Sequence, residues 1–358
     1  MTGPPSPVPV PGSVTVVDAH AHAVPADLVA DLVGGRVHFP NVSVGPGPGP
    51  AEAAGPGPTF AFAGGPPTRP LAPALTDAGR RRAWLQAQGI GAQVVGGWLD
   101  IFGYQLGSAE GADWSRLLTE RLAGLCAREG EGRLTPLGTV PLQDPARAAD
   151  LLPEVLAAGC AGVMVATRAG ELELDDPAAT PFWEAADDLG TVVYLHPGFG
   201  AASRRYEPYG LANGLARIED STVTLARLLY AGIPARYPRL RLVVAHGGGA
   251  LPWVLGRLVR NYEVSGARHA DPMESFARLY FDSVVFEPAA LELLVRLAGP
   301  ERVLLGSDYP FPIGDPQPRQ VIERSGLSEA DARLLLGGNA ATVFGLPLPA
   351  GGDGAAAP

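Results

Sequence analysis

Two histidines stand one residue apart at the end of an apolar run, VTVVDAHAH at 14–22. In a β-strand, residues i and i+2 point to the same face, so His20 and His22 project side by side with Asp18 just below. Neutral imidazole is the commonest protein ligand for divalent transition metals, and two converging rings are half of a metal site. The chain has only six histidines. Two more close apolar runs, TVVYLH ending on His196 and LRLVVAH on His246, and a further run, RVLLGSD, ends on Asp308. Sheets and barrels of the α/β class bind ligands at the carboxyl ends of their strands, so these positions read as one site. His38 and His269 lie outside the set and are expected at the surface.

What is missing narrows the chemistry. All 27 basic residues are arginine and no lysine occurs. That excludes a Schiff-base nucleophile, a P-loop lysine and a lysine carbamate bridging two metals. A single-ion centre built from imidazole and carboxylate is expected. HGGG at 246–249 resembles the oxyanion loop of lipases, but there is no GxSxG nucleophile elbow. No GxGxxG follows a strand-like run, which removes the usual dinucleotide fingerprint. The net charge of −10 argues against nucleic-acid and anionic-membrane partners. No apolar stretch approaches a membrane span. The start MTGPPSPVPVPG lacks the features of a signal peptide, and two cysteines are too few for a disulfide framework. A cytoplasmic protein is expected.

The positioning elements follow from alternating patterns. Strands are predicted at 14–20, 92–98, 134–140, 162–166, 192–196, 242–246, 279–285 and 303–307. Helices are predicted between them at 77–88, 114–128, 145–158, 178–189, 219–231, 252–261 and 288–297, with two more at 318–325 and 328–336. This pattern predicts a (β/α)8 barrel of α/β class, a TIM barrel, in one domain at 14–346. A doubly wound sheet fits less well, because residues from the first, fifth, sixth and eighth strands meet readily only around a closed barrel. Flexible tails are expected at 1–13 and 347–358, both rich in Pro, Gly and Ala. The Gly/Pro-rich insertion at 34–69 cannot form a regular helix or a central strand. It is expected either to arch over the mouth as a lid anchored by Phe60 and Phe62, or to be disordered in part.

With these residues placed, the chain resembles the amidohydrolase-related (amidohydrolase 2) decarboxylases, and within them the α-amino-β-carboxymuconate-ε-semialdehyde decarboxylase branch. The resemblance runs from about residue 14 to 346 and rests on DAHAH at 18–22, LHP at 195–197, AHGGGALPWVLGR at 245–257, FDSVVFEPAALELLV at 281–295, LLGSDYPFPIGD at 304–315 and GNAA at 338–341. It implies that His20, His22, His196 and Asp308 ligate one divalent ion, Zn2+ first, with Mn2+, Co2+ or Fe2+ as alternatives. His246 becomes an unligated acid/base beside a metal-bound water. Three nitrogens and one carboxylate oxygen would leave a position open, as catalytic sites do. The resemblance also implies that Arg69 binds a substrate carboxylate and that Arg257 reaches the neighbouring subunit's site in a homodimer. Guanidinium groups clamp carboxylates bidentately, so both suit a small anionic carboxylate substrate. Phe102, Tyr104 and Phe311 are candidate pocket walls. The family's tryptophans after the HP dipeptide and before the aspartate that follows the lid are replaced here by Gly198 and Thr76, implying a wider or reshaped pocket. The implied activity is non-oxidative decarboxylation of a small unsaturated or aromatic acid. Hydrolysis of an amide, lactone or related bond is the enzymatic alternative, and a non-catalytic metal-bearing scaffold the remaining one.

Overall fold

The computed structural model describes residues 15–47, 57–198 and 203–346. Both tails expected to be flexible, and residues 48–56 of the insertion, lie outside the described residues. Parallel strands are β1 Val17–Ala23, β2 Ala92–Gly97, β3 Leu134–Pro136, β4 Gly162–Ala166, β5 Val192–His196, β6 Arg241–Val244, β7 Tyr280–Asp282 and β8 Val303–Leu304. They form a three-stranded sheet, β1–β2–β3, and a five-stranded sheet, β4–β5–β6–β7–β8. Isolated parallel bridges join Gly138 to Val163 and Ala21 to Tyr309, linking the two sheets at both edges.

These strands read as near-continuous apolar runs because they are covered on both sides, as parallel strands are. Their residues alternate between two apolar clusters. Val163, Val165, Val193, Leu195, Val244 and Leu305 pack with Trp183, Leu228 and Leu291 of the helices. Met164, Val192, Tyr194, Val243 and Leu304 belong to the other cluster, with Val17 and Val94. This period of two sends alternate side chains to opposite sides of the sheet.

The longer helices are α1 Ala26–Val33, α2 Ala78–Gln88, α3 Ser108–Glu129, α4 Pro145–Ala157, α5 Thr180–Asp188, α6 Arg217–Ala231, α7 Leu251–Val264 and α8 Pro288–Ala298. Asp77 caps α2 by accepting from Arg80 N–H, and Asp144 caps α4 by accepting from Arg147 N–H.

Two boundaries differ from expectation in ways that matter for the site. The first strand runs through both histidines to Ala23 instead of ending at His20, with a register irregularity between Asp18 and Ala21. Helix α1, unforeseen from the sequence, separates β1 from the insertion, so that segment does not leave the first strand directly. Within the insertion, Val42–Gly45 and Thr59–Phe62 pair as an antiparallel ribbon outside the parallel sheets. Phe60 and Phe62 are buried, and the Phe62 and Phe39 rings meet Trp114 of α3.

Candidate metal centre

The strand ends converge on one point. His20 and His22 come from β1, His196 is the last residue of β5, and Asp308 follows β8 by four residues. One ligand atom from each of these four buried residues lies within 4.8 Å of every other. His20 Nε2 and His22 Nε2 are 3.2 Å apart, and Asp308 Oδ1 stands 3.4, 3.1 and 3.9 Å from Nε2 of His20, His22 and His196.

The surroundings fix which nitrogen of each ring faces inward. His22 Nδ1 donates to the Gly97 carbonyl at 2.9 Å and His196 Nδ1 to the Pro197 carbonyl at 2.9 Å. Carbonyl oxygens only accept, so in the neutral rings the proton sits on Nδ1 and the lone pair on Nε2. His20 Nδ1 donates at 2.6 Å to Asp282 Oδ2, which also accepts from the Tyr194 hydroxyl at 3.0 Å. Asp282 Oδ1 takes the N–H groups of Gly247 and Val284. Partners of this kind orient metal-binding imidazoles.

The donor set fits a divalent cation. Nε2 of His196 and Oδ1 of Asp308 are buried and lack a hydrogen-bond partner. His20 Nε2 and His22 Nε2 stand 3.2 Å apart, so with the proton of each ring on Nδ1 the two inward lone pairs need a cation or a shared proton between them. Electrostatics agrees. Burial holds the pKa of His22 below the ordinary value and that of His196 well below it, so both rings are neutral near pH 7. At His20 burial works the same way, but the hydrogen bond to Asp282 and the charge of Asp308 outweigh it and raise the pKa. Asp308 is held well below the carboxylate range: burial opposes its charge, but the facing imidazoles win.

Behind the cluster lies a second buried network. Asp18 accepts from His20 N–H, from Gln93 Nε2 at 2.8 Å and from Ser307 Oγ at 2.6 Å. Gln93 is oriented by Arg81, which also donates to the His22 carbonyl. Gly306 permits the close approach: a Cβ there would stand 2.9 Å from Asp282 Cβ and 3.0 Å from His20 Cβ. His246 and Asp308 both adopt positive φ, 55° and 59°, a conformation that costs a non-glycine residue and recurs at functional sites.

His246 stands outside the four-residue group. Its Nε2 is 3.5 Å from Asp308 Oδ2, and its side chain is 11% exposed. It lines a cavity of about 760 Å³ together with Asp308, Arg69, Arg217, Phe286 and Phe311. The Phe311 ring lies 5.1 Å from that of His22.

Other sequence-predicted residues fall as follows. Arg69 reaches this cavity and is bridged twice to Asp100, Nε to Oδ2 at 3.0 Å and Nη2 to Oδ1 at 3.1 Å. Among the described residues of the 34–69 segment it alone lines the cavity; the ribbon packs against the flank instead. Phe102 and Tyr104 are not on the cavity wall. Phe102 is buried in the core against Gly97, and the Tyr104 hydroxyl accepts from Ala166 N–H at 3.4 Å. Arg257 is exposed on α7, away from the cavity of its own chain. His38 and His269 are exposed.

Sequence reasoning missed Asp282, Tyr194, Asp100 and Arg217. Asp282 had a usable signal, since it ends an apolar strand just as His196 does.

The chain belongs to the amidohydrolase family (amidohydrolase 2), whose pattern matches residues 17–346. It is 30% identical over 253 residues to the 2-amino-3-carboxymuconate-6-semialdehyde decarboxylase of Dictyostelium discoideum, an overlap of 69% of this chain and 70% of that protein. The crystal structure of 5-carboxyvanillate decarboxylase from Sphingomonas paucimobilis matches with a TM-score of 0.76 at 24% identity, over 94% of this chain and 100% of that one. Dihydroxybenzoic acid decarboxylase from Polaromonas sp. JS666, solved with bound manganese and the inhibitor 2-nitroresorcinol, matches with a TM-score of 0.72 at 21% identity, over 93% of this chain and 97% of that one. The two structural likenesses speak to the fold.

Proposed function

We propose that this chain is a carboxy-lyase: a metal-dependent, non-oxidative decarboxylase of a small unsaturated or aromatic carboxylic acid. The observation that carries the reading is the division within the cluster. Four side chains aim ligand atoms at one point, while His246 stands beside them on the cavity wall. A scaffold has no use for that fifth group. The relatives' names support the same chemistry.

His20, His22, His196 and Asp308 would hold the cation. When bound, it supplies a Lewis acid that stabilises negative charge developing on the substrate. The N3O donor set favours zinc, and the same set accepts manganese, cobalt or iron. Decarboxylation breaks the bond from carbon to carboxylate and leaves the electron pair on carbon. His246 delivers the proton that forms the new C–H bond, acting as a general acid. Arg69 and Phe311 position the acid, Arg69 by charge and Phe311 as an apolar wall that excludes water.

The same reading takes the strands as one (β/α)8 barrel, 14–346, supported by the bridges at both sheet edges and the two-sided alternation of the core. It takes the insertion as the segment that brings Arg69 to the cavity, and the protein as cytoplasmic, in keeping with two buried thiols and no disulfide among the described residues. It also takes the molecule as a homodimer in which Arg257 enters the neighbouring site. The exposure of Arg257, with Trp253 one turn earlier 81% exposed, supports an interface there.

The test is to load the protein with Zn2+ or Mn2+ and offer a panel of unsaturated and aromatic carboxylates beside amides and lactones. CO2 release is the expected result. Hydrolysis products without CO2 would replace this reading with a hydrolase.

A further inference from the structure

Arg217 opens α6, directly after a π-helical turn at Ala212–Ala216. Such turns interrupt regular helices and frequently sit at functional sites. The turn brings Arg217, partly buried, onto the same cavity wall as Arg69, with His246 and Asp308 also on the lining. A long hydrogen bond of 3.5 Å runs from Arg217 Nη1 to the Pro197 carbonyl, the same oxygen that accepts from His196 Nδ1 at 2.9 Å. The guanidinium is therefore tethered next to a ring of the proposed metal cluster.

Two guanidinium groups on one wall repel each other. Burial, and after it the charge of Arg69, pull the Arg217 pKa down, whereas Asp100, Asp308 and Asp220 favour the cation. A bound anion adjacent to both arginines would offset that repulsion. The rest of the lining is largely apolar, including Ile218, Val284, Val285, Phe286 and Ile313, and suits a flat hydrocarbon ring or diene. Gly198, next to Pro197, meets no described atom within 4 Å of where a Cβ would stand, so no described side chain takes up that space.

We propose that Arg217 is a substrate-binding residue which, with Arg69, selects planar acids carrying a second anionic group besides the carboxylate that is lost. This rests on the decarboxylase reading for the fate of the first carboxylate, but not for the binding preference. Guanidinium binds a carboxylate through charge-assisted, planar contacts that an apolar side chain cannot replace.

Equilibrium binding to the metal-loaded protein tests it, using benzene-1,3-dicarboxylate, its monomethyl ester and benzoate as probes. Wild type should bind the diacid tighter than the ester by on the order of 10- to 100-fold, the value of a hydrogen bond to a charged group. Arg217→Met should remove most of that preference with metal content unchanged, and Arg217→Lys should restore part of it. Equal wild-type affinity for diacid and ester would overturn the proposal without recourse to any variant. So would an Arg217→Met protein that keeps the wild-type ratio. CO2 measured in parallel separates the two readings. A diacid preference lost in Arg217→Met, with no CO2 from any acid, sinks the decarboxylase reading and leaves this one standing. CO2 release without any diacid preference does the reverse.

Discussion

Replacing Asp282 by asparagine isolates the group that holds His20. Four donors converge on its two oxygens: His20 Nδ1 at 2.6 Å and the Tyr194 hydroxyl at 3.0 Å on Oδ2, Gly247 N–H at 2.9 Å and Val284 N–H at 3.1 Å on Oδ1. An amide keeps one acceptor oxygen and brings an NH2 in place of the other. If the NH2 faces His20, the Tyr194 hydroxyl can rotate to accept, but the imidazole must move its proton to Nε2. That removes the lone pair aimed at the cluster. If the NH2 faces the loop instead, two buried backbone N–H groups lose their acceptor, at about 1–3 kcal/mol each. The total of about 2–6 kcal/mol is a large share of a typical domain stability of about 5–15 kcal/mol. Metal affinity should also fall by about 10- to 100-fold, the usual effect of losing an outer partner of a ligating histidine. Chelator competition measures the affinity, and denaturant unfolding of the metal-free protein measures the stability. An Asp282→Asn protein with wild-type affinity and an unchanged midpoint would refute the reasoning.

Other perturbations separate the remaining roles. His20→Ala or Asp308→Ala should lose most of the bound ion and the activity, because one donor of four is gone; full occupancy by elemental analysis would defeat the ligand assignment. His246→Ala should retain the ion and lose about 10²- to 10⁴-fold in rate; a collapse in metal content would make His246 a ligand instead. Burial pushes the Asp18 carboxyl up from the ordinary 3.8 to about 6, against hydrogen bonds from Ser307, Gln93 and His20 N–H. A carboxyl with a raised folded-state pKa stabilises the fold most at low pH. Its contribution should therefore fall by about 2 kcal/mol as pH rises from about 4 to about 6, and Asp18→Asn should flatten that slope in metal-free denaturation curves. An unchanged slope would assign the pH dependence to other groups. If Arg257 serves the neighbouring site, inactive Arg257→Ala and His246→Ala proteins should regain activity after subunit exchange, since one site of each mixed dimer is intact. No recovery in verified heterodimers would confine Arg257 to its own subunit or the surface.

Much of this was legible in the sequence for a physical reason. Parallel strands covered on both sides need long apolar runs, so a His or Asp closing such a run stands out against its background. His20, His22, His196, His246 and Asp308 were found that way, and the division into four ligands and one unligated histidine came from the family resemblance. Phe102 and Tyr104 were harder, because an aromatic near a strand end packs equally well in a core or on a cavity wall; neither is among the residues lining the cavity. Arg217 carries no motif at all. Only a π-helical turn, a tertiary feature without a simple spacing rule, brings it to the cavity. Helix α1 escaped because ADLVADLV is short and its N-cap is a proline whose side chain supplies no cap.

The buried aspartates show how one fold assigns different work to one side chain. Asp18 is surrounded by neutral donors, so burial dominates and its pKa rises. Asp282 and Asp308 are equally buried, but each faces imidazole, and those hydrogen bonds and charges pull both pKa values down. Asp282 spends both oxygens on four donors. Asp308 instead keeps Oδ1 without a hydrogen-bond partner, within 3.1 to 3.9 Å of three inward-facing Nε2 atoms. A cation at that point would satisfy the three lone pairs and the carboxylate together. Neither Asp18 nor Asp282 could take over that role without giving up the hydrogen bonds that orient His20.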